Sequence, residues 1–154
     1  MNPFTLLFDF RGRINRAKLW LAAAIYVGFL FCVIAITMAT TSSLTAVLVA
    51  TLVAYVPLLV SSVAVGVKRL HDRNKSAWWL LPFFLPVVLP LAASVLDDVL
   101  TPDSSMTFMV FQYIGLAIMI WAVVELGCLR GTIGANQYGF DPLTPAPAPP
   151  RTLR

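Results

Sequence analysis

Residues Leu19 to Val67 read LWLAAAIYVGFLFCVIAITMATTSSLTAVLVATLVAYVPLLVSSVAVGV, 49 consecutive positions without a charge or a histidine. About 20 apolar residues cross the hydrocarbon core of a bilayer as a helix. The run is therefore two spans. Its only cluster of small hydroxylated residues, Thr40, Thr41, Ser42 and Ser43, marks the turn between them. Span one is expected over 19–40 and span two over 44–67.

Working outward, two further uncharged runs of 21 residues follow, Ser76–Leu96 and Ser104–Val124. Each is long enough to cross, and nothing alternates with the period of a barrel strand. Backbone groups in lipid must be satisfied within the segment, so helices are the expected form. The expected fold class is an all-α membrane protein, a four-helix transmembrane bundle with spans near 19–40, 44–67, 76–96 and 104–129. Composition agrees: 59% of the 154 residues are hydrophobic and 12% charged, against about 25% charged in a soluble domain. The mean hydropathy of +0.84 assigns much of the chain to lipid. A cleaved signal peptide is disfavoured, because its apolar core is about 7–15 residues long and a second apolar run follows here at once.

Charge sets the orientation. Arg11, Arg13, Arg16 and Lys18 precede span one, Lys68, Arg69, Arg73 and Lys75 fill the loop between spans two and three, and Arg130, Arg151 and Arg154 follow span four. With four spans all 11 basic residues fall on one side, and Asp97, Asp98 and Asp103 fall on the other. The positive-inside rule makes the basic side cytoplasmic, and with it both termini. Trp20, Trp78 and Trp79 fall at the headgroup level of that side. The net charge of +4 lies in short clusters beside apolar runs, which points to anionic lipid headgroups rather than nucleic acid.

Residues 1–18 form a basic N-terminal segment, with Pro3 to Phe10 expected in the interface. Residues 130–141 form a cytoplasmic Gly/Asn motif, and 142–154 a proline-rich tail expected to be disordered. Cys32 and Cys128 lie at different depths, which implies free packing thiols.

Candidate functional residues are few. In Lys68-Arg69-Leu70-His71-Asp72-Arg73-Asn74-Lys75-Ser76, Asn74 tolerates the left-handed conformation that ends a helix and Ser76 is a potential cap for the next. Either Arg69, His71 and Arg73 grip a phosphate or headgroup, or the stretch is a topology signal whose Asp72 pairs with a nearby arginine. Glu125 is the carboxylate embedded in a span, within reach of Lys68, Arg69 or water; an ion pair is favoured over a relay, which needs further buried acids. Pro82, Pro86 and Pro90 fall on nearly one face of span three and leave carbonyls to be satisfied elsewhere. Small residues spaced four apart, Ala24/Gly28, Ser62/Gly66 and Gly127/Gly131, allow close helix approach. One histidine and two separated cysteines build no usual zinc site, and no phosphate loop or nucleophile elbow occurs, so no cofactor and no enzymatic activity are expected.

Three motifs in order resemble those of the domain of unknown function 805 family of small bacterial inner-membrane proteins. Phe10-Arg11-Gly12-Arg13-Ile14-Asn15-Arg16 followed by Trp20 resembles its F-x-G-R-x-x-R…W opening. Arg69-Leu70-His71-Asp72…Ser76…Trp78-Trp79 resembles its R-L-H-D…S-G-W-W centre, and Gly134-x-Asn136-x-Tyr138-Gly139-x-Asp141-Pro142 its G-x-N-x-Y-G-x-D-P close. Lys68, Asn74, Lys75, Ala77 and Gln137 depart from that pattern by mild swaps. The resemblance implies a bacterial inner (plasma) membrane, a multi-pass chain and no stated activity.

All three motifs fall on the expected cytoplasmic side. Arg13, Arg16, Arg69, His71, Asp72, Asn136, Tyr138 and Asp141 are therefore expected to form one polar cap over the bundle. The leading reading is a non-enzymatic protein whose cap binds an anionic lipid headgroup or a protein partner. The alternatives are an oligomeric small transporter or channel subunit using span three and Glu125, and a lipid-directed enzyme using His71 and Asp72.

Overall fold

The computed structural model describes residues 2–86, 88–90 and 105–144. Within them the chain forms α1 (Pro3–Phe8), α2 (Arg16–Thr40), α3 (Leu44–Asp72), α4 (Ala77–Pro86) and α5 (Ser105–Ala122), the last continuing as a wide π turn over Val123–Cys128. Among the described residues three helices are long and apolar enough to cross a membrane: Arg16–Thr40, Leu44–Asp72 and Met109–Cys128. The second half of expected span three, the acidic positions Asp97, Asp98 and Asp103, and the tail past Thr144 lie outside the described residues.

The α2–α3 turn falls where the hydroxyl cluster places it. Thr41 N–H donates to the Thr37 carbonyl and ends α2, and Ser43 Oγ accepts from Ala46 N at 3.4 Å and caps α3. Inside the helices, Thr37 and Thr51 hydroxyls donate to carbonyls one turn back, at 2.6 and 2.8 Å, so neither of these hydroxyls is left unpaired toward hydrocarbon. The short turn makes the helices antiparallel, and Tyr26 hydrogen-bonds Ser61 across them at 2.8 Å.

The buried core sits at the basic end. Leu6, Ile14, Ala22 and Val65 form one cluster, and Val67, Leu70 and Leu80 another. Away from that end the large apolar side chains face outward; Phe31 is 71% and Leu52 66% exposed, which suits lipid as the solvent.

Helix α1 docks by a specific device. Its last carbonyls have no partner within the helix. Lys68 Nζ donates to the carbonyls of Thr5 and Leu6 at 2.8 and 2.6 Å, and Ser61 Oγ to that of Leu7 at 2.8 Å. Lys68 and Arg69 are thus not loop residues: α3 runs on to Asp72 and buries both, leaving only 1% of each exposed. Lys68→Met keeps the apolar stem and removes the donor. It is expected to weaken α1 docking by about 1–3 kcal/mol, seen as faster amide exchange over residues 4–8 with the α2–α3 hairpin unchanged. Unaltered exchange at those amides would contradict the anchoring role.

Asn74 adopts φ +56°, and the bonds Asn74 N to His71 O (3.0 Å) and Lys75 N to Leu70 O (2.9 Å) close a Schellman end on α3. Ser76 does not cap α4 with its side chain as expected; its carbonyl accepts from Trp79 N at 3.2 Å, and the helix opens as a tight 3₁₀ turn over Ala77–Leu80. Gly115 of α5 lies against the Pro86 backbone, where a Cβ would approach Pro86 Cα to 3.4 Å, so this proline faces a neighbouring helix. Among the expected small-residue contacts, Gly66 meets Leu80 and Gly127 meets Trp20, whereas Gly28 faces open space. The two cysteines are free, and both are exposed rather than packed.

Candidate functional site

At the basic end, three segments distant in sequence close on one carboxylate. Asp72, the last residue of α3, is buried, and Arg13 Nε donates to its Oδ1 at 3.1 Å while Arg69 pairs with its Oδ2. Two buried guanidinium groups share one carboxylate, so each needs further acceptors. Arg13 finds them in the backbone carbonyls of Thr132 (2.6 Å), Gly134 (2.7 Å) and Gly139 (3.2 Å). Arg69 donates to the Leu126 carbonyl at 2.6 Å and to that of Leu129. The fixed five-donor fork of arginine suits this role and a lysine point charge does not.

The acceptors exist because of local backbone shape. The π turn ends with Leu129 N bonded to Val124 O at 3.1 Å, a five-residue step. The carbonyls of Leu126 and Gly127 in this turn accept from the side chains of Arg69 and Trp20. Beyond it, Gly134 (φ +81°) and Gly139 (φ +134°) take conformations that L side chains rarely adopt, which lets residues 132–139 fold back over Arg13.

That loop is knotted by its own polar residues. Asn136 Oδ1 accepts from Tyr138 N at 2.9 Å, and its Nδ2 donates to the His71 carbonyl and to Thr132 Oγ1, both at 2.9 Å. Asp141 accepts from Leu143 N at 2.9 Å and Gly134 N at 3.1 Å; those two N–H groups hold its carboxyl below the usual carboxylate range. Tyr138 stacks flat on His71, with ring centroids 3.9 Å apart. Thr132 donates from both N–H and hydroxyl to the Asp72 carbonyl, at 2.8 and 3.0 Å.

The structure thus brings Arg13, Arg69, His71, Asp72, Asn136, Tyr138 and Asp141 together. Arg16 stands at the rim, exposed, with Nη1 donating to the Cys128 carbonyl at 3.2 Å. His71 and Asp72 do not act on each other: the carboxylate is taken by two arginines and the imidazole lies under Tyr138.

Glu125 is buried and paired, but its partners differ from those expected. Lys68 and Arg69 are turned inward, so Glu125 Oε1 meets Arg73 Nε at 3.1 Å and Lys75 Nζ at 2.7 Å instead. Lys75 also lies 4.7 Å over the Trp79 ring.

Above the Arg69–Asp72 pair, a polar cavity of about 150 Å³ opens between Arg16, Arg69, Arg130, Asp141 and the Gly131–Thr132 backbone. Its cations differ in role. Arg69 is held from several sides, whereas Arg16 and Arg130 are exposed at the rim. The sequence marks Arg130 only as a topology charge and Gly131 only as a helix-contact residue, and Thr132 carries no signal; the adjacent glycine-rich motif alone hinted at the region.

The family model described as "Protein of unknown function (DUF805)" matches residues 7–140. The chain is 30% identical over 138 residues to the Escherichia coli K12 "Uncharacterized protein YiiR", covering 88% of this chain and 86% of that one. It is 25% identical over 134 residues to "Inner membrane protein YhaH" of the same organism, with 86% of each covered. To "Inner membrane protein YhaI" it is 27% identical over 136 residues, covering 86% of this chain and 85% of the other. No solved structure matches. The match over 7–140 takes in the opening arginine motif, the central Arg69–Asp72 motif and the glycines whose carbonyls hold Arg13, and by it the chain belongs to the DUF805 family.

Proposed function

We propose that this chain is a bacterial inner-membrane protein of four spans, both ends cytoplasmic, whose basic cap binds a phosphate-bearing anionic lipid headgroup. The naming of YhaH and YhaI as inner-membrane proteins supports the location. Three apolar helices and the entry of α4 into a further apolar run support the span count. The observation that carries the ligand is the cavity rimmed by Arg16, Arg69 and Arg130. Its lining carries three arginines against Asp72 and Asp141, and Asp72 is already shared by Arg13 and Arg69; across the described residues nine basic side chains stand against four carboxylates. An excess of cations at a headgroup-level surface draws anionic lipid.

Binding suits the site better than catalysis, because Asp72, although it lines the cavity, has both oxygens taken by Arg13 and Arg69, and His71 lies under Tyr138. Transport along Glu125 is likewise the weaker reading, since two cations neutralise that carboxylate.

The test is purification from native membranes in gentle detergent, with mass spectrometry of the retained lipid. Arg69 is unsuitable as a probe because it holds the fold; Arg16→Gln/Arg130→Gln removes the rim charges alone. Retained anionic phospholipid is expected to fall about tenfold or more, with zwitterionic lipid unchanged. Equal anionic lipid in wild type and variant sinks the proposal.

A further inference from the structure

A second cavity, open on one side, is lined by residues of the same helices that line the polar one. It measures about 330 Å³, roughly ten times the share of one liquid water molecule. Its lining comes from all four long elements: Trp20 and Ala23 of α2, Gly66 of α3, Phe84 of α4, and Met119 and Leu126 from α5 and its π turn. The hydroxyls nearby are engaged, Tyr26 with Ser61 and Ser62 with the Leu59 carbonyl at 2.8 Å. Such a space suits hydrocarbon and offers no orphan polar group to a polar solute.

The two cavities share the same helix faces. Arg16 of the polar cavity stands one turn from Leu19 and Trp20 of the apolar one on α2, and Arg69 one turn from Val65 and Gly66 on α3; Arg130 and Gly131 follow the extended Leu129 just past the π turn that supplies Leu126 and Gly127. One turn is about 5.4 Å. Two hydrogen bonds made by exposed side chains tie these segments together, Arg16 of the polar cavity to Cys128 O and Trp20 of the apolar one to Gly127 O, each 3.2 Å. A charged recess stacked on an apolar one has the chemistry of an amphiphile.

We infer that the two cavities form one site for a single phosphate amphiphile, with its phosphate at Arg16 and Arg130 and an acyl chain in the space between α2, α3, α4 and α5. This rests on the headgroup reading above and deepens it. The occupant is a lipid seated in a groove between the helices that opens to the bundle's surface, selected by both its ends. Arg69 keeps its bonds to Asp72, Leu126 and Leu129 in this arrangement, so the phosphate is left to Arg16 and Arg130.

The test titrates three probes into the full chain in a nonionic detergent and reads bound mass: glycerol 3-phosphate, oleoyl lysophosphatidic acid, and oleoyl lysophosphatidylcholine. Wild type is expected to bind the lysophosphatidic acid at least about tenfold more tightly than either other probe. Arg16→Gln/Arg130→Gln is expected to erase the preference over the choline lipid. Ala23→Leu fills the apolar cavity and is expected to weaken lysophosphatidic acid about tenfold while leaving glycerol 3-phosphate binding as it was. Ser62→Val, filling the same space from α3, must reproduce that loss should Ala23→Leu fail to fold.

If glycerol 3-phosphate binds as tightly as the lysolipid and both filling variants are silent, the chain site falls and the headgroup reading stands. If the filling variants weaken both lysolipids equally and the rim variant weakens neither, the phosphate assignment falls and the amphiphile site falls with it. No binding of either phosphate probe above the choline lipid overturns both readings.

Discussion

Asp72→Ala is expected to cost about 3–5 kcal/mol of stability, the range seen when one partner of a buried charge cluster is removed. The size follows from what is left behind. The Arg13 and Arg69 side chains are both almost fully buried, and the carboxylate between them is their common counter-charge. Without it two guanidinium groups face each other in a space closed by backbone carbonyls, so the cost comprises lost attraction and new repulsion. Unfolding in mixed micelles, followed by tryptophan fluorescence, would give the value. Asp72→Asn is the informative companion, because it preserves the shape and two lone pairs while removing the charge. It is expected to fall between wild type and alanine. A loss below about 1 kcal/mol for Asp72→Ala would show that the carbonyls of residues 126–139 satisfy the arginines unaided, and that the ion triad adds little.

How much of this was legible in the sequence varies by residue for physical reasons. The break between α2 and α3 was readable because a chargeless run of 49 residues exceeds one bilayer crossing and has a single hydroxyl cluster to turn at. The gathering of Arg13, Arg69, Asp72, Asn136 and Tyr138 was readable as a neighbourhood, since three motifs shared one end of the expected bundle. The geometry within it was not. Counting charges treats a basic residue as a surface residue, yet Lys68 and Arg69 lie inside, drawn by carbonyl oxygens that α1 and the π turn leave unpaired. No side-chain pattern announces an unpaired carbonyl. The π turn over Val123–Cys128 was invisible for the same reason, because it is a backbone choice made in answer to Arg69 and Trp20. The mistaken partners of Glu125 follow directly: once Lys68 and Arg69 turn inward, Arg73 and Lys75 are the cations left facing it. The expected cap likewise joined buried and exposed residues. Burial separates them, with Arg13, Arg69 and Asp72 inside as structure and Arg16 exposed at the rim, beside Arg130, which the expected cap did not include.

Gly131→Ala is expected to be nearly as damaging as Asp72→Ala, although it adds one methyl group. Gly131 is not among the glycines of positive φ, so backbone freedom does not explain it. The constraint is space: a Cβ there would lie 2.8 Å from Asp72 Oδ1 and closer still to the rest of the carboxylate. Asp72 cannot retreat, since Arg13 and Arg69 hold its side chain and Thr132 binds its carbonyl with two hydrogen bonds. The loop cannot retreat either without releasing Arg69 from Leu129 and Arg13 from Thr132. Either escape breaks the buried cluster, for an expected loss of about 3–5 kcal/mol. Gly28→Ala supplies the contrast. Its Cβ meets nothing within 4 Å, and α2 is expected to be unharmed or firmer by about 0.5–1 kcal/mol. The decisive measurement is the double variant Asp72→Ala/Gly131→Ala. With the carboxylate gone the added methyl group has room, so the pair should cost less than the two single losses together by at least about 1 kcal/mol. Simple additivity would mean that Gly131 is constrained by something other than Asp72, and that the carboxylate is not the point on which the three segments close.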